Sequence, residues 1–335
     1  MRIGLIGLGR IGAFHAETLS RNDQVDQLFV TDAAPGVAEA AAATLSATPV
    51  SSADELLARG LDGVVIASST PTHLALLRAA MAAGVPTFCE KPVAEDPYAV
   101  GDLVEAVRRS GVAVQIGFPR RFDPSFVAAK AALDDGELGW LTTIRSTTMD
   151  PAPPPAAYVA VSGGIFRDCA IHDFDAVRWA TGREVIEVYA TGSNRGDTFF
   201  ADAGDVDTSS ALLTFDDGTL GVISNTRYNA QGYDVRLELH GSAGSIAAGL
   251  DDGLPLRSAD PEVLFPAGPA HAFFMDRFAE AFRIEIDTFL KVAAGQQASP
   301  CTITDGLEAS WIAEACTTSL REHRPVRLDH IRPPR

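Results

Sequence analysis

Three short stretches of this sequence hold side chains whose types and spacing could do chemistry. The first is Gly7-Leu-Gly9-Arg-Ile-Gly12, a G-x-G-x-x-G element that directly follows one apolar run and opens an amphipathic one. Gly7 permits a tight turn, Gly9 lets the backbone approach a pyrophosphate, and Gly12 lets a helix pack closely on the strand before it. The N–H groups at the helix start, with Arg10 and Ile11 in the turn, then face an anion. Among 29 glycines such a pattern can arise by chance, so its weight comes from its place between strand and helix. Asp32 closes the next apolar run, where an acidic side chain meets the hydroxyls of an adenosine ribose. A carboxylate repels a 2′-phosphate, and Ala33-Ala34-Pro35 offers no arginine to hold one, so the pattern points to NAD over NADP.

The second stretch is Glu90-Lys91-Pro92 and the third is Asp168-x-x-x-His172. The triplet follows a predicted strand at the carboxyl edge of its sheet, which is where doubly wound sheets place ligands. Spacing i,i+4 within a predicted helix puts Asp168 and His172 on one face. Taken singly, a lysine before proline is usually a surface residue and a helical histidine is usually structural. Beside a nucleotide fingerprint both become catalytic candidates. Ser69, Thr70 and His73 follow another strand and are candidates for touching the cofactor, weighed against a helix-start cap.

These residues need elements to position them. Strand patterns at 2–8, 25–31, 63–67, 86–89 and 112–117 alternate with helix patterns at 11–21, 36–45, 71–83 and 97–110. Pro71 and Pro97 suit first turns of helices. Such alternation predicts an α/β domain with a doubly wound parallel sheet over residues 1–118, the Rossmann arrangement. The rest, 119–335, reads as an α+β domain. A helix is predicted at 125–133, a strand at 141–147, and a helix at 165–180. Strands crowd together at 187–192, 208–215, 219–226, 233–240 and 245–248, and helices at 271–294 and 305–323 finish the chain. Asp216-Asp217-Gly218 is a hairpin turn, so this sheet should be open and mostly antiparallel.

At 335 residues the chain fits two domains, and its 46% hydrophobic content fits folded cores. A net charge of −17 argues against nucleic-acid binding. No apolar run reaches a membrane span. Four scattered cysteines lack zinc or C-x-x-C spacing and read as core thiols in a reducing compartment, so the expected location is the cytoplasm. The acidic stretch Asp202–Asp207 lacks EF-hand spacing and reads as a solvated loop, with no metal expected.

In combination, the glycine element, Glu90-Lys91-Pro92 and Asp168-x-x-x-His172 resemble the Gfo/Idh/MocA oxidoreductases over essentially the whole chain. Ser162-Gly-Gly-Ile-Phe-Arg-Asp168-Cys-Ala-Ile-His172-Asp-Phe-Asp175, preceded by Asp150-Pro-Ala-Pro-Pro-Pro155, is most similar to the myo-inositol 2-dehydrogenase branch. Gly117-Phe-Pro-Arg-Arg-Phe-Asp123 resembles the segment that follows the last Rossmann strand there.

The resemblance implies NAD-dependent oxidation of a secondary alcohol on a cyclic polyol, myo-inositol to scyllo-inosose. Other inositol isomers, a pyranose, or a non-catalytic NAD(P)-binding sensor are its alternatives. Such an oxidation needs a base at the hydroxyl and a cofactor to take the hydride. His172 suits the base, since imidazole titrates near neutral pH. Asp168 would orient its ring, and Lys91 would stabilise developing alkoxide charge. Arg121 and Asp150 are candidates for substrate hydroxyls, weighed against surface ion pairing. Tyr233 is a candidate pocket lining, weighed against sheet packing. Family likeness also implies a homo-oligomer, tetramer or dimer, with a small polyol as the other partner.

Overall fold

The computed structural model describes residues 1–263 and 268–333. The chain forms two compact units, one from Met1–Pro119 with Glu280–Leu307, the other from Arg120–Ala279 with the stretch beginning at Glu308.

In the first unit, six strands run parallel: β1 (Arg2–Ile6), β2 (Gln27–Thr31), β3 (Ala47–Pro49), β4 (Gly63–Ile66), β5 (Thr87–Glu90) and β6 (Val114–Gly117). Their order is β3-β2-β1-β4-β5-β6, which makes β1 and β4 the switch point of a doubly wound sheet. Ile3, Leu5, Val64, Val65, Ile66 and Phe88 are fully buried. Strands covered on both faces read as continuous apolar runs, and this is why they stand out in the sequence. β3 does not stand out, because it is three residues long and ends in Pro49. Such a strand is tolerated only at a sheet edge. The helix Ala53–Leu57 that follows starts at Ser52, whose hydroxyl accepts the Glu55 N–H.

The expected boundary after residue 118 leaves the helix Ala279–Ala293 outside this unit. Its Ile286, Phe289 and Leu290 instead pack with Ile3, Leu5, Leu19, Val65 and Phe88 in the first unit's core. Burying each such side chain stabilises by about 1.5–3 kcal/mol. Gly63 makes room for the helix, since a Cβ there would lie 3.1 Å from Phe289 and 3.2 Å from Ala293. The single helix expected over 271–294 is broken at Phe278 into Phe274–Arg277 and Ala279–Ala293.

The second unit holds a seven-stranded sheet of β7 (Leu141–Met149), β8 (Val185–Ser193), β9 (Thr208–Phe215), β10 (Leu220–Thr226), β11 (Asp234–Gly241), β12 (Ser245–Ala248) and β13 (Val326–Arg327). The order is β12-β11-β7-β10-β9-β8-β13. Only β7 and β10 pair in parallel, and the other pairings are antiparallel. The hairpin between β9 and β10 turns through Asp216-Asp217-Gly218, with Gly218 at φ +89° and the Phe215 N–H bonded to Thr219 O at 3.0 Å. One sheet face, with Ile144, Ser146, Thr148, Leu213 and Phe215, is buried. On other strand positions Tyr189, Leu212 and Leu220 remain exposed. No helix among the described residues is long and apolar enough to cross a membrane.

The single helix expected over 165–180 is also two pieces, Ile165–Asp168 and Ile171–Thr181. The Ala170 N–H reaches back five residues to Ile165 O at 2.9 Å, while the Asp173 N–H reaches only three, to Ala170 O. A wide turn followed by a tight one breaks the α-helical register. Asp168 and His172 therefore lie on two separate helices and not on one face of a single helix.

Candidate active site

The glycine turn of the first unit has the geometry that its sequence asks for. Gly7 sits at φ +94°, and a Cβ there would lie 2.6 Å from the Ser68 backbone. A Cβ on Gly12 would meet Gly7 O at 2.0 Å, so only glycine lets helix Arg10–Ser20 start this close to β1. Nothing lies within 4 Å of a Cβ on Gly9, which caps the helix, and Arg10 beside it is exposed. The turn is thus open at Gly9, which leaves room for a pyrophosphate to approach the backbone. Ile11 is half-buried behind it. Asp32, at the end of β2, accepts the Leu8 N–H at 2.7 Å and the Ala34 N–H at 2.8 Å. Its carboxylate ties the glycine turn to the next loop. This places a negative charge beside the turn, and a dinucleotide with a free ribose 2′-hydroxyl fits it.

At the carboxyl end of β5 the triplet divides its tasks. Glu90 turns inward, and its Oε1 lies 2.7 Å from Nε2 of the fully buried His15 on helix Arg10–Ser20. The His15 ring lies edge-on to Phe88 and Phe282. Gly117 at the end of β6 clears the space, since a Cβ there would come within 3.0 Å of Glu90 Oε2. Glu90 is thus held from the interior of the unit by His15. Lys91 is half-buried, and the Lys91–Pro92 peptide is cis. His73 is also internal. It is 1% exposed, with Nδ1 2.8 Å from Pro92 O and Nε2 3.0 Å from Ser68 O. It joins the loop after β4 to the loop that carries Lys91. Ser69 caps helix Thr70–Ala82 through its backbone, and its side chain makes no cap bond.

In the second unit two predicted residues meet through one that the sequence reading missed. Arg227 follows β10 and is 5% exposed. Its Nη1 donates to Asp150 Oδ2 and its Nη2 to Asp168 Oδ2, each at 2.7 Å. Tyr158 donates its hydroxyl to the other oxygen of Asp168 at 2.8 Å. Burial works against the charge on Arg227, but the carboxylates of Asp168 and Asp150 outweigh it and hold the guanidinium well above its usual range. Asp150 is fixed by its backbone as well, donating to Thr226 O and accepting from the Asn229 N–H. Gly163 and Gly164, at φ +81° and +88°, bring the chain into the helix that ends with Asp168.

His172, half-buried, lies between Ile171 and Asp173 in the first turn of helix Ile171–Thr181. Asp173 nails that turn to the sheet. Fully buried, it accepts from Arg120 Nη1 at 2.6 Å, Ser146 Oγ at 2.5 Å, Thr148 Oγ1 at 2.9 Å and Asn225 Nδ2 at 2.8 Å. Arg121 pairs with the buried Asp175 through Nε at 2.9 Å and Nη2 at 2.6 Å. The charge of Arg121 thus goes into a two-pronged pair that is buried, where the expected alternative to substrate binding is a surface pair. Acids at 173 and 175 amid Ile171, Phe174, Ala176 and Val177 were the readable signal for these pairs.

Tyr233 is 6% exposed just ahead of β11, edge-on to Phe274 and Phe278, and burial pushes its hydroxyl far above the usual range. It packs the core, as the sheet-packing alternative holds. The acidic stretch is not a solvated loop throughout. Asp207 is buried and accepts the Arg195 and Gly196 N–H groups at 2.7 Å each, while Asp205 accepts the Ile165 N–H at 2.9 Å.

Known proteins share this architecture. Residues 1–118 match the model of an oxidoreductase family with an NAD-binding Rossmann fold, and residues 126–247 match the GFO/IDH/MocA C-terminal domain. The chain is 38% identical over 330 residues to an inositol 2-dehydrogenase of Rhizobium meliloti, covering 98% of this chain and 99% of that protein. It superposes on a myo-inositol dehydrogenase from Corynebacterium glutamicum with a TM-score of 0.90 at 37% identity, covering 100% and 99% of the two chains. A scyllo-inositol dehydrogenase from Lactobacillus casei, solved with bound NAD(H) and scyllo-inositol, gives a TM-score of 0.87 at 31% identity, covering 98% and 99%.

Proposed function

The chain belongs to the GFO/IDH/MocA oxidoreductase family, and from that premise we propose that it oxidises one secondary hydroxyl of a cyclic polyol with NAD, converting myo-inositol to scyllo-inosose. The observation that supports this reading best is full-length likeness to inositol dehydrogenases in a chain that carries Lys91, Asp168 and His172.

NAD, when bound, supplies the hydride acceptor. The glycine turn with Arg10 and Ile11 holds its pyrophosphate, and Asp32 takes the adenosine ribose hydroxyls. The half-exposed start of helix Thr70–Ala82 at Ser69 and Thr70, with Lys91 and Pro92, completes the cofactor set. His172 accepts the proton of the reacting hydroxyl, for which a neutral imidazole suffices near neutral pH. Lys91 donates to the same oxygen and stabilises its developing negative charge. Asp168 orients the His172 ring, and Asp168 and Asp150 also accept hydrogen bonds from polyol hydroxyls. A site that hydrogen-bonds several hydroxyls favours a polyol over analogues that lack them.

Self-association belongs to the same proposal. Tyr189, Leu212 and Val222 align across β8, β9 and β10, and Leu220 adds to the row. An exposed apolar strip of this kind favours cover by a second copy, giving a dimer or tetramer. Four buried free thiols are consistent with residence in the cytoplasm.

The test is NADH formation by purified protein with NAD or NADP and a panel of inositols and pyranoses. NAD-dependent turnover of myo-inositol is expected. Faster turnover of another polyol would replace the substrate and keep the chemistry. NADH binding without turnover of any panel member would favour a sensor.

A further inference from the structure

Arg227 is the one buried cation in contact with both Asp150 and Asp168 among the hydrogen bonds described, and the mechanism above gives it no task. We propose that Arg227 is a positioning residue for the oxidation, locking Asp150 and Asp168 into one rigid unit with a single net negative charge. The inference rests on the reading of Asp168 and Asp150 as substrate-facing groups.

The geometry leads there in three steps. The two carboxylates come from unrelated places in the chain, 77 and 59 residues before the arginine, and no shared helix or strand sets their separation. Asp150 directly follows β7, while Asp168 ends a four-residue helix entered through two left-handed glycines. An element that short holds its own side chains poorly, because one helical turn contributes little stability. A guanidinium does hold them. Its planar fork fixes two N–H directions at once, and each carboxylate keeps one oxygen outside the pair. On Asp168 that second oxygen takes the Tyr158 hydroxyl. Arg227 is anchored in turn, since its N–H donates to Asp207 O at 2.8 Å and its side chain is buried.

Charge gives the second half of the argument. Two unpaired carboxylates facing one polyol would repel each other and favour protonation of one of them. One shared cation removes that conflict, so both stay acceptors while only one negative charge remains in excess. Neighbouring Asp205 adds a further acid, whose carboxyl burial pushes up from its ordinary value. Arg227 is therefore the counterweight to a locally acidic surface.

The test compares Arg227→Ala and Arg227→Lys with the wild type in crystal structures and in kinetics. Expected are NADH affinity within twofold of wild type and a kcat/KM for the polyol lower by about 10²-fold in Arg227→Ala, mostly through kcat, since a small misplacement near the chemistry has that effect. Guanidinium ion at non-denaturing concentration should restore at least part of the loss, while sodium ion at equal ionic strength should not. Lysine should rescue incompletely, because a point charge lacks the fork. Crystals of Arg227→Ala should show the Asp168 carboxylate displaced. An unmoved Asp168, or turnover within threefold of wild type, would overturn the proposal. A wild type that turns over no polyol would sink the functional reading instead, and the crystal structures would still decide whether Arg227 holds the pair.

Discussion

Replacing Asp173 with asparagine should lower the stability of the second unit by about 3–5 kcal/mol. The figure follows from what the carboxylate touches. Arg120, Ser146, Thr148 and Asn225 all donate to it, and the site is fully buried. Asparagine turns one oxygen into an NH2 that must face a donor, and each hydrogen bond to the lost charge was worth about 1.5–3 kcal/mol. It also leaves Arg120, 2% exposed, as an unpaired buried cation, and that sets the upper end. For a unit of this size, calorimetry without NAD should show a midpoint lower by roughly 6–20 °C. Because the same turn carries His172, polyol turnover should fall as well. A double variant, Arg120→Met with Asp173→Leu, should recover roughly half of the loss, since apolar replacement of both partners removes the stranded charge. A shift below about 2 °C in the single variant would refute the argument that Asp173 anchors the helix.

Other outcomes follow from the two units. Lys91→Ala should reduce turnover by roughly 10²–10³-fold, as loss of one charge-stabilising donor does, with NADH affinity by fluorescence titration almost unchanged. Equal turnover in that variant would remove Lys91 from the mechanism. Asp32→Ser combined with Ala33→Arg should raise the NADP-to-NAD ratio of kcat/KM at least about tenfold, equal to about 1.4 kcal/mol. An unchanged ratio would mean that Asp32 does not select the cofactor. Leu212→Glu should lower the mass measured by light scattering after gel filtration, and an unaltered mass would show that this sheet face is not the contact between copies.

What the sequence discloses here is local. The glycine turn, Asp32 and the buried runs of β1, β4 and β5 depend on neighbours within a few residues, and they stand where the reading puts them. Distant pairing is harder to read. Arg227 follows an ordinary alternating strand, and nothing nearby marks it as the partner of two acids so far upstream. Glu90 and His73 belong to chemically suggestive motifs, yet both are satisfied inside the first unit by His15 and by backbone carbonyls. A motif specifies residue types, whereas the rotation of a side chain at a strand or helix end is decided by packing, as Gly117 shows for Glu90. Helix breaks at Cys169–Ala170 and at Phe278 were illegible because neither involves glycine or proline. An amphipathic period announces that helix Ala279–Ala293 has an apolar face, and it leaves open which sheet that face covers.

That helix has a consequence for how the protein is made. Ribosomes deliver the chain from its N-terminus, so all six strands of the parallel sheet emerge before Ile286, Phe289 and Leu290, which complete the core around Phe88 and Leu5. At about 5–20 residues per second, the nascent sheet waits roughly 9–34 s for its last covering layer. During that interval an apolar face is open to chaperones or to other nascent chains. A fragment ending at residue 119 should stay in that condition and bind the dye ANS strongly, whereas weak binding would show that the sheet closes its core without the returning helix. The order of synthesis thus makes the first unit to be translated depend on one of the last segments to arrive.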